Sequence, residues 1–320
     1  MTPPRFAIRM FGACVLLLAA CAACGEDYPN KPIRIVTSEA GGGNDAQARL
    51  IAQGLAGALG VQVVVDNRPS GVVPGDIVSK ASPNGYTFLL YNNTLWTGPL
   101  LQTTPYDVAR DLAPVSPVAK AANVLVVSPA VPARTVAELI AVARANPGKL
   151  NYGSSGTGAS NHLAGELFKT MAGVDIVRIN YKGANPALTA LLADELQLMF
   201  PTAGAVTPYI RAGRVRVLAV TSLEPTALVP GVPTLAASGL AGYESTSVYG
   251  VFAPAKTPRA IIDKVSGEIG RFLDRADVKA KFFNAGVEAA GGSPEQLAAT
   301  VKSEIVRMSR LIKDAGISGQ

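Results

Sequence analysis

Side chains that support catalysis and metal binding are scarce in this sequence. Its 320 residues include one histidine, His162, and three cysteines that all lie within the first 24 residues. A protein nucleophile needs a base and an orienting acid within reach, and a zinc site needs several His or Cys ligands. Ser160 is two residues from His162 on a predicted helix, so the two side chains face different ways. We therefore expect neither an enzyme nor a metal or cofactor site.

Charge of either sign is also sparse. Charged residues make up 16% of the chain, against roughly 25% in typical soluble domains. The formal net charge is +6, but no run of five or more basic residues occurs. We therefore expect no nucleic-acid partner. Hydrophobic residues reach 48%, mostly Ala, Val, Leu and Ile, which predicts a compact globular chain.

The N-terminus has the pattern of an export signal. Arg5 and Arg9 precede an uncharged, largely apolar run at residues 11–20. Such a run is about half as long as a membrane-spanning helix needs to be, so the pattern predicts a signal peptide over residues 1–24. The sequence LAAC at 18–21 is similar to a bacterial lipobox. Cys21 would then be a lipidated N-terminus and the only membrane contact of the chain; ordinary cleavage nearby is the alternative.

Beyond the signal peptide, short apolar strands alternate with helical patterns. This alternation predicts an α/β fold with two mostly parallel sheets and helices on both faces. Two of the apolar strands end in proline, at Pro129 and Pro254. We interpret them as two crossovers between lobes. Residues 25–127 would form the first part of lobe 1, residues 128–249 lobe 2, and residues 250–320 a return to lobe 1 with the C-terminal helices.

A glycine-rich turn follows the first predicted strand. Gly41, Gly43 and Ala46 match the G-x-G-x-x-A dinucleotide pattern, and Asp66 ends the next strand. However, acidic side chains on both sides of the glycines would repel a pyrophosphate. The pattern instead favours a small ligand whose oxygen atoms are approached by backbone N–H groups at a helix N-terminus; a dinucleotide and a purely structural turn are the alternatives. The candidate ligand residues are Ser38, Glu39, Ala40, Gly41, Gly42, Gly43 and Asp45.

A second strand-to-helix turn, at residues 154–160, is rich in hydroxyls and N–H groups that suit a carboxylate. Asn161 breaks the dinucleotide pattern and G-x-S-x-G does not occur, so the turn predicts ligand binding, with a capped helix start as the alternative. The end of the third predicted strand is a further candidate, although Trp96 there could also pack in the core. The candidates are Ser154, Gly156, Thr157, Gly158 and Ser160 in the turn, and Asn92, Asn93 and Trp96 after the strand.

Longer motifs occur in a recognisable order along the chain. They are YPNKPIR at 28–34, DNRP at 66–69, NGYT at 84–87, GKLNY at 148–152, HLAGELF at 162–168, YKG at 181–183 and VPT at 232–234. In this order they resemble the substrate-binding receptors of tripartite tricarboxylate transporters, the Bug family. The resemblance covers essentially all of residues 28–315.

The resemblance implies a two-lobed periplasmic binding protein of type II, with a Venus-flytrap arrangement of its lobes. Such a receptor is a monomer in the periplasm, is not an enzyme, and holds a small organic carboxylate through the two turns, largely by backbone groups and ordered waters. It delivers the ligand to a small and a large membrane subunit of a secondary transporter. Some relatives instead present the ligand to a membrane sensor kinase, which is the alternative function.

The sequence departs from the family pattern at the expected site. Glu39 stands where a small residue or proline is usual before the glycines. Pro201 stands where the family has an aspartate that can meet a ligand amino group, and we include Pro201 and Thr202 among the ligand residues. Ala159 replaces the usual Thr or Ser, and residues 70–75 replace a glycine-rich loop. These differences predict a less anionic or partly cationic, more apolar carboxylate as the ligand.

An acid at position 39 that faces a partly cationic ligand would contribute to its binding. Glu39→Ala is therefore expected to weaken binding of the native ligand, measured as a dissociation constant by isothermal titration calorimetry. An unchanged dissociation constant would contradict this interpretation of Glu39.

Overall fold

The computed structural model describes residues 28–69, 71–314 and 316–317. The predicted signal peptide and Cys21 lie outside these residues, so export and lipidation stay predictions. Within the described ranges, no helix combines the length and the apolar character needed to cross a membrane.

Strands of the described chain form a six-stranded and a five-stranded sheet. In chain order the strands are β1 (Ile33–Thr37), β2 (Val63–Asn67), β3 (Thr87–Asn92), β4 (Leu112–Ala122), β5 (Val124–Val127), β6 (Asn151–Ser154), β7 (Val177–Asn180), β8 (Leu198–Met199), β9 (Arg216–Val220), β10 (Thr246–Pro254) and β11 (Glu288–Ala289). The six-stranded sheet has the order β11-β4-β10-β3-β1-β2, and the other has the order β7-β6-β8-β5-β9.

Helices connect most of these strands. In chain order they are α1 (Gly43–Leu59), α2 (Val73–Ser79), α3 (Thr94–Thr97), α4 (Val108–Asp111), α5 (Val136–Ala145), α6 (Ser160–Ala172), α7 (Ala184–Leu192), α8 (Ala203–Arg211), α9 (Arg259–Asp274), α10 (Ala276–Asn284) and α11 (Pro294–Asp314). A 3-10 turn, Gly98–Leu100, follows α3 directly.

Each sheet is covered by its own hydrophobic core, and we call the two units lobe 1 (six strands) and lobe 2 (five strands). In lobe 1, Ile35 and Leu90 are fully buried against apolar side chains of α1 and α9. In lobe 2, Phe168 of α6 and Phe200 after β8 are fully buried and lie 5.8 Å apart between ring centres. The predicted α/β architecture with two lobes is confirmed.

The expectation of mostly parallel sheets is wrong, because both sheets are mixed. In lobe 1, β1 pairs in parallel with β2 and β3, whereas β10 pairs antiparallel with β3 and β4. The sequence pattern missed the long strand β4, since Pro114 and Pro117 interrupt it. Both prolines lie beside register shifts in the pairing with β10, where an extra residue disrupts the ladder, and such bulges tolerate proline.

The chain passes between the lobes at Asn123, between β4 and β5, and again in the segment that ends at Ser245, before β10. These positions precede the expected boundaries at residues 127 and 249 by a few residues. Thr221, directly after β9, forms backbone hydrogen bonds with both passages. Its amide donates to the carbonyl of Asn123 at 2.9 Å, and its carbonyl accepts from the amide of Ser245 at 2.8 Å. The division into three domain segments stays a prediction.

The lobes also contact each other between α8 and the residues before β11. A β-carbon built on Gly204 of α8 would lie 2.2 Å from the α-carbon of Gly286, which precedes β11 in lobe 1. Nearby, the hydroxyl of Thr226 donates to Glu288 Oε1 at 2.6 Å. The backbones of the two lobes are therefore in direct contact at a point that admits no side chain.

This contact predicts the effect of one added methyl group. Gly204→Ala is expected to lower the free energy of unfolding by about 1–3 kcal/mol, because the methyl group overpacks the lobe contact. Gly57→Ala in α1 is the matched control, since nothing lies within 4 Å of its built β-carbon. The control is expected to gain about 0.5–1 kcal/mol from helix propensity. Urea unfolding of both variants measures the difference, and a Gly204→Ala protein as stable as the wild type would refute the prediction.

Candidate functional site

The turn after β1, residues 38–45, is organised by one buried carboxylate. Asp45 accepts hydrogen bonds from the amide of Gly41 at 2.9 Å, from Asn67 Nδ2 at 2.9 Å and from Arg49 Nε at 3.1 Å. Burial raises the pKa of Asp45, but these donors outweigh it and hold the pKa below its usual value. Asp45 as a whole is 4% exposed. It therefore shapes this first-lobe turn from within, and its expected contact with a ligand stays a prediction.

The rest of the first-lobe turn presents backbone. Ser38 is buried, with its carbonyl accepting from Asn67 Nδ2 at 2.7 Å and its hydroxyl from Asn44 Nδ2 at 3.2 Å. Gly41 has φ of +82°, which favours glycine. The accessible members of the turn are Glu39, Ala40, Gly41, Gly42 and Gly43.

Residues after β3 divide between the core and the lobe boundary. Trp96 was a candidate cleft residue, but it is 1% exposed, its ring lies 5.9 Å from that of Phe252, and its Nε1–H donates to Glu304 Oε2 at 2.8 Å. Trp96 therefore belongs to the core of lobe 1. Asn92 is half-buried, and its Oδ1 accepts from the amide of Thr94 at 3.2 Å. Asn93 is buried and donates to the carbonyl of Thr246 at 3.3 Å.

Side chains of α6, the helix that follows β6, support the turn after β6 (residues 154–160). His162 Nδ1 accepts the amide hydrogen of Gly158 at 3.1 Å, and Asn161 Oδ1 accepts from the amide of Ser155 at 3.2 Å. His162 is almost fully buried. Burial lowers its pKa to about 3, with further contributions from the charges of Arg178 and Lys169. This histidine is a neutral acceptor that shapes the second-lobe turn.

A cation from the neighbouring strand completes the second-lobe turn. Arg178 of β7 donates from Nε to the hydroxyl of Ser154 at 2.8 Å and from Nη2 to the hydroxyl of Thr157 at 3.2 Å. Ser154 is buried, whereas Gly156, Thr157 and Ser160 are half-buried. The guanidinium therefore lies directly beside the accessible part of the turn.

The structure brings the second-lobe turn to the edge of lobe 1 where the other candidates lie. Because β1 and β3 are parallel neighbours, the first-lobe turn and the residues after β3 share one edge of the sheet. The hydroxyl of Thr97, after β3, lies 3.3 Å from the carbonyl oxygen of Gly158. In addition, Asn123 Nδ2 donates to the hydroxyl of Ser160 at 3.3 Å.

Pro201 and Thr202 lie beside the same passage between the lobes. The buried Pro201 accepts the amide hydrogen of Val124 through its carbonyl at 2.8 Å, and the half-buried Thr202 forms a β-bridge with Asn123. Pro201 thus supports the passage through its backbone, and Thr202 lies next to Asn123.

Three buried amides around this edge have an unsatisfied oxygen atom. Within the described ranges, Oδ1 of Asn44, of Asn93 and of Asn123 has no hydrogen-bond partner. Buried polar atoms are nearly always paired with protein, water or ligand. Their position beside the first-lobe turn, after β3 and at the first passage between lobes indicates a place for a polar ligand or its ordered waters.

Sequence reasoning missed Arg178, Asn123 and Tyr249. A β-carbon on Gly43 would lie 2.8 Å from the Tyr249 hydroxyl, and burial raises the pKa of Tyr249 to about 12, so this hydroxyl keeps its proton. The sequence does contain a feature that points to Asn123, because this polar residue directly precedes an apolar strand. No sequence feature points to Arg178 or Tyr249, since strand pairing alone brings them to the candidate site. Among the described residues, no group of three or more His, Cys, Asp or Glu side chains is placed to hold a metal ion.

Comparison with known proteins agrees with this architecture. A family model described as tripartite tricarboxylate transporter family receptor matches residues 47–317. The chain belongs to this receptor family. A relative from Pseudomonas sp. (strain P51), a UPF0065 protein in the tcbD-tcbE intergenic region, is 38% identical over 90% of this chain and 87% of its own length.

Two solved structures extend the comparison. Rpa4515 of R. palustris, solved with adipate, is 36% identical with a TM-score of 0.84, covering 91% of this receptor and 99% of that chain. The periplasmic binding protein BugD is 30% identical with a TM-score of 0.80, covering 92% of this receptor and 100% of that chain. Family and neighbours are substrate-binding receptors, not enzymes, as the sequence predicted.

The neutral His162 predicts how the stability of the receptor depends on pH. Its pKa is about 3 in the folded state against an ordinary value of 6.5, so the unfolded chain binds more protons between these values. The contribution of His162 to the free energy of unfolding is complete above about pH 6.5. It decreases as the pH falls, by about 1.4 kcal/mol per pH unit.

His162→Asn keeps an acceptor near the Gly158 amide but does not titrate. Between pH 7 and pH 5, urea unfolding is expected to show that the wild type loses about 2 kcal/mol more than His162→Asn. Equal losses in the two proteins would show that His162 is not held neutral.

Proposed function

We propose that this receptor is exported to the periplasm and binds a small organic carboxylate between its two lobes. It then delivers the ligand to the membrane subunits of a tripartite tricarboxylate-type secondary transporter. Membership of the receptor family and the adipate bound by a relative that shares 36% of its sequence support this assignment. The closing of lobe 1 on lobe 2 about the passages at Asn123 and Ser245 would enclose the ligand.

The observation that supports the proposal is the contact between the second-lobe turn and Thr97, on the sheet edge of lobe 1 that also carries the first-lobe turn. Each turn precedes the first residues of a helix, where backbone N–H groups have no partner inside the helix and the helix dipole favours an anion. The unsatisfied oxygen atoms of Asn44, Asn93 and Asn123 lie around the same edge. A ligand with carboxylate oxygens, accompanied by waters or hydroxyls that donate to these amides, fits this combination.

The two turns take different roles within the proposed site. In lobe 1, the ligand contacts come from the accessible residues 39–43, and the protonated Tyr249 hydroxyl beside Gly43 is a further donor. In lobe 2, they come from Gly156, Thr157 and Ser160. Asp45, Ser38, Ser154 and Gly158 support the turns from within, and Thr202 borders the site beside Asn123.

A thermal-shift panel tests the proposal. The chain without its predicted signal segment is unfolded and refolded to remove bound ligand, then heated with dicarboxylates including adipate, tricarboxylates, amino acids and aromatic carboxylates. A ligand at about 100 times its Kd adds roughly 2.7 kcal/mol of stability. For a chain of this size that raises the Tm by several degrees.

Two glycine variants provide a matched control for this panel. Gly156→Ala in the second-lobe turn (φ +138°) is expected to abolish the shift, whereas Gly239→Ala in the loop between β9 and β10 (φ +105°) strains the backbone in the same way and is expected to keep it. A panel without any shift in the wild type would refute carboxylate binding. Loss of carboxylate uptake in cells that lack the receptor would support delivery to a transporter, and unchanged uptake would contradict it.

A further inference from the structure

Arg178 occupies an unusual position for a charged residue that is not paired with an acid. It lies on β7, the edge strand of lobe 2, opposite Tyr152 in the register with β6. Its guanidinium reaches along the sheet to the hydroxyls of Ser154 and Thr157, and Nη2 also lies 3.3 Å from Asn180 Oδ1. The group is thus held in one orientation by neutral oxygen atoms at the second-lobe turn.

The hydrogen bonds of Arg178 leave part of its donor set unused. An arginine has five N–H donors, and the three bonds engage Nε and Nη2. Within the described chain, Nη1 has no hydrogen-bond partner and Arg178 forms no ion pair. By contrast, the nearby Lys169 is neutralised by Glu166, at 3.2 Å between Nζ and Oε2. Arg178 is half-buried, so an anion from solvent can reach its charge.

The surroundings of Arg178 add no compensating negative charge. His162 is neutral, and Glu166 accepts from Tyr152 at 2.5 Å in addition to its pair with Lys169. The N-terminus of α6 contributes its own positive partial charge to the same turn. The accessible face of the second-lobe turn is therefore positive, and a guanidinium fixed by hydroxyls is well suited to a carboxylate.

We propose that Arg178 binds a carboxylate of the ligand directly through Nη1 and determines that the receptor accepts only ligands with a negative charge at the lobe 2 end. The inference rests on the proposed carboxylate-receptor function and adds a positively charged side chain to the proposed ligand contacts. It also gives the ligand a direction. The carboxylate faces Arg178, and the less anionic end faces Glu39 in lobe 1.

The test compares Arg178→Gln, which removes the charge, with Arg178→Lys, which keeps it. The control is Arg211→Gln at the exposed end of α8, which removes one positive charge from the same lobe at a distance from the turn. Adipate is the first probe; if it leaves the wild-type Tm unchanged, the panel carboxylate with the largest shift replaces it. Dissociation constants are measured by calorimetry at about 20 mM and 300 mM salt.

Arg178→Gln is expected to bind the probe about 10- to 100-fold more weakly, because a charge-assisted hydrogen bond is lost. Arg178→Lys is expected to fall between it and the wild type, and Arg211→Gln to bind like the wild type. A direct charge contact also predicts that high salt weakens binding to the wild type and to Arg178→Lys but much less to Arg178→Gln. A merely structural role of Arg178 would not change this salt dependence.

Two further outcomes would contradict either the role of Arg178 alone or both proposals. If a carboxylate stabilises the wild type and Arg178→Gln binds it with the same affinity or the same salt dependence, the role of Arg178 is refuted while the receptor function stands. If no carboxylate of the panel stabilises the wild type, both proposals fail together. Circular dichroism and urea unfolding confirm that each variant is folded before these comparisons are made.

Discussion

The arrangement of this receptor depends on the hydrogen bonds that Thr221 forms where the chain passes between its lobes. Thr221 lies after the last strand of lobe 2, yet its backbone pairs with Asn123 on the first passage and with Ser245 on the second. Its buried hydroxyl lies 2.9 Å from the carbonyl oxygen of Asn123 and 2.5 Å from that of Ser245. Both passages are thereby held side by side, so the lobes share one pivot instead of two independent linkers. Because the Asn123 side chain also reaches Ser160, the pivot is connected directly to the second-lobe turn.

Each turn of the site is shaped by side chains of its own lobe, so its backbone is ordered before a ligand arrives. In lobe 1 the carboxylate of Asp45 shapes the turn by accepting hydrogen bonds from Gly41, Asn67 and Arg49. In lobe 2 a neutral histidine accepts from Gly158, and Arg178 donates to the turn hydroxyls. Preorganised backbone amides lower the ordering cost of binding. The opposite charges of the supporting groups also make the two turns chemically different.

Much of the architecture could be read from the sequence, and the failures have identifiable causes. Apolar runs separated by helical patterns predicted most strands, and the glycine-rich turns were placed correctly between a strand and a helix. The strand β4 was not predicted, because its prolines oppose strand structure unless a β-bulge accommodates them. The bulges form only in the pairing of β4 with β10. Without β4 and β10 as antiparallel neighbours, a mostly parallel sheet was the natural expectation. The sequence left Trp96 open between the core and the cleft, because Glu304, the buried acid that accepts its indole N–H, is remote in sequence.

The sequence by itself determined the class of protein, through the family motifs in their order and two glycine-rich turns that each precede a helix. These features are local, since a turn needs its glycines and a helix its starting residues within a few positions. Only the tertiary structure decided which groups meet at the site. Arg178 reaches Ser154 because β7 pairs with β6, and Thr97 meets Gly158 because the two lobes pack against each other. Contacts of this kind depend on strand register and lobe packing, which join residues far apart in the chain.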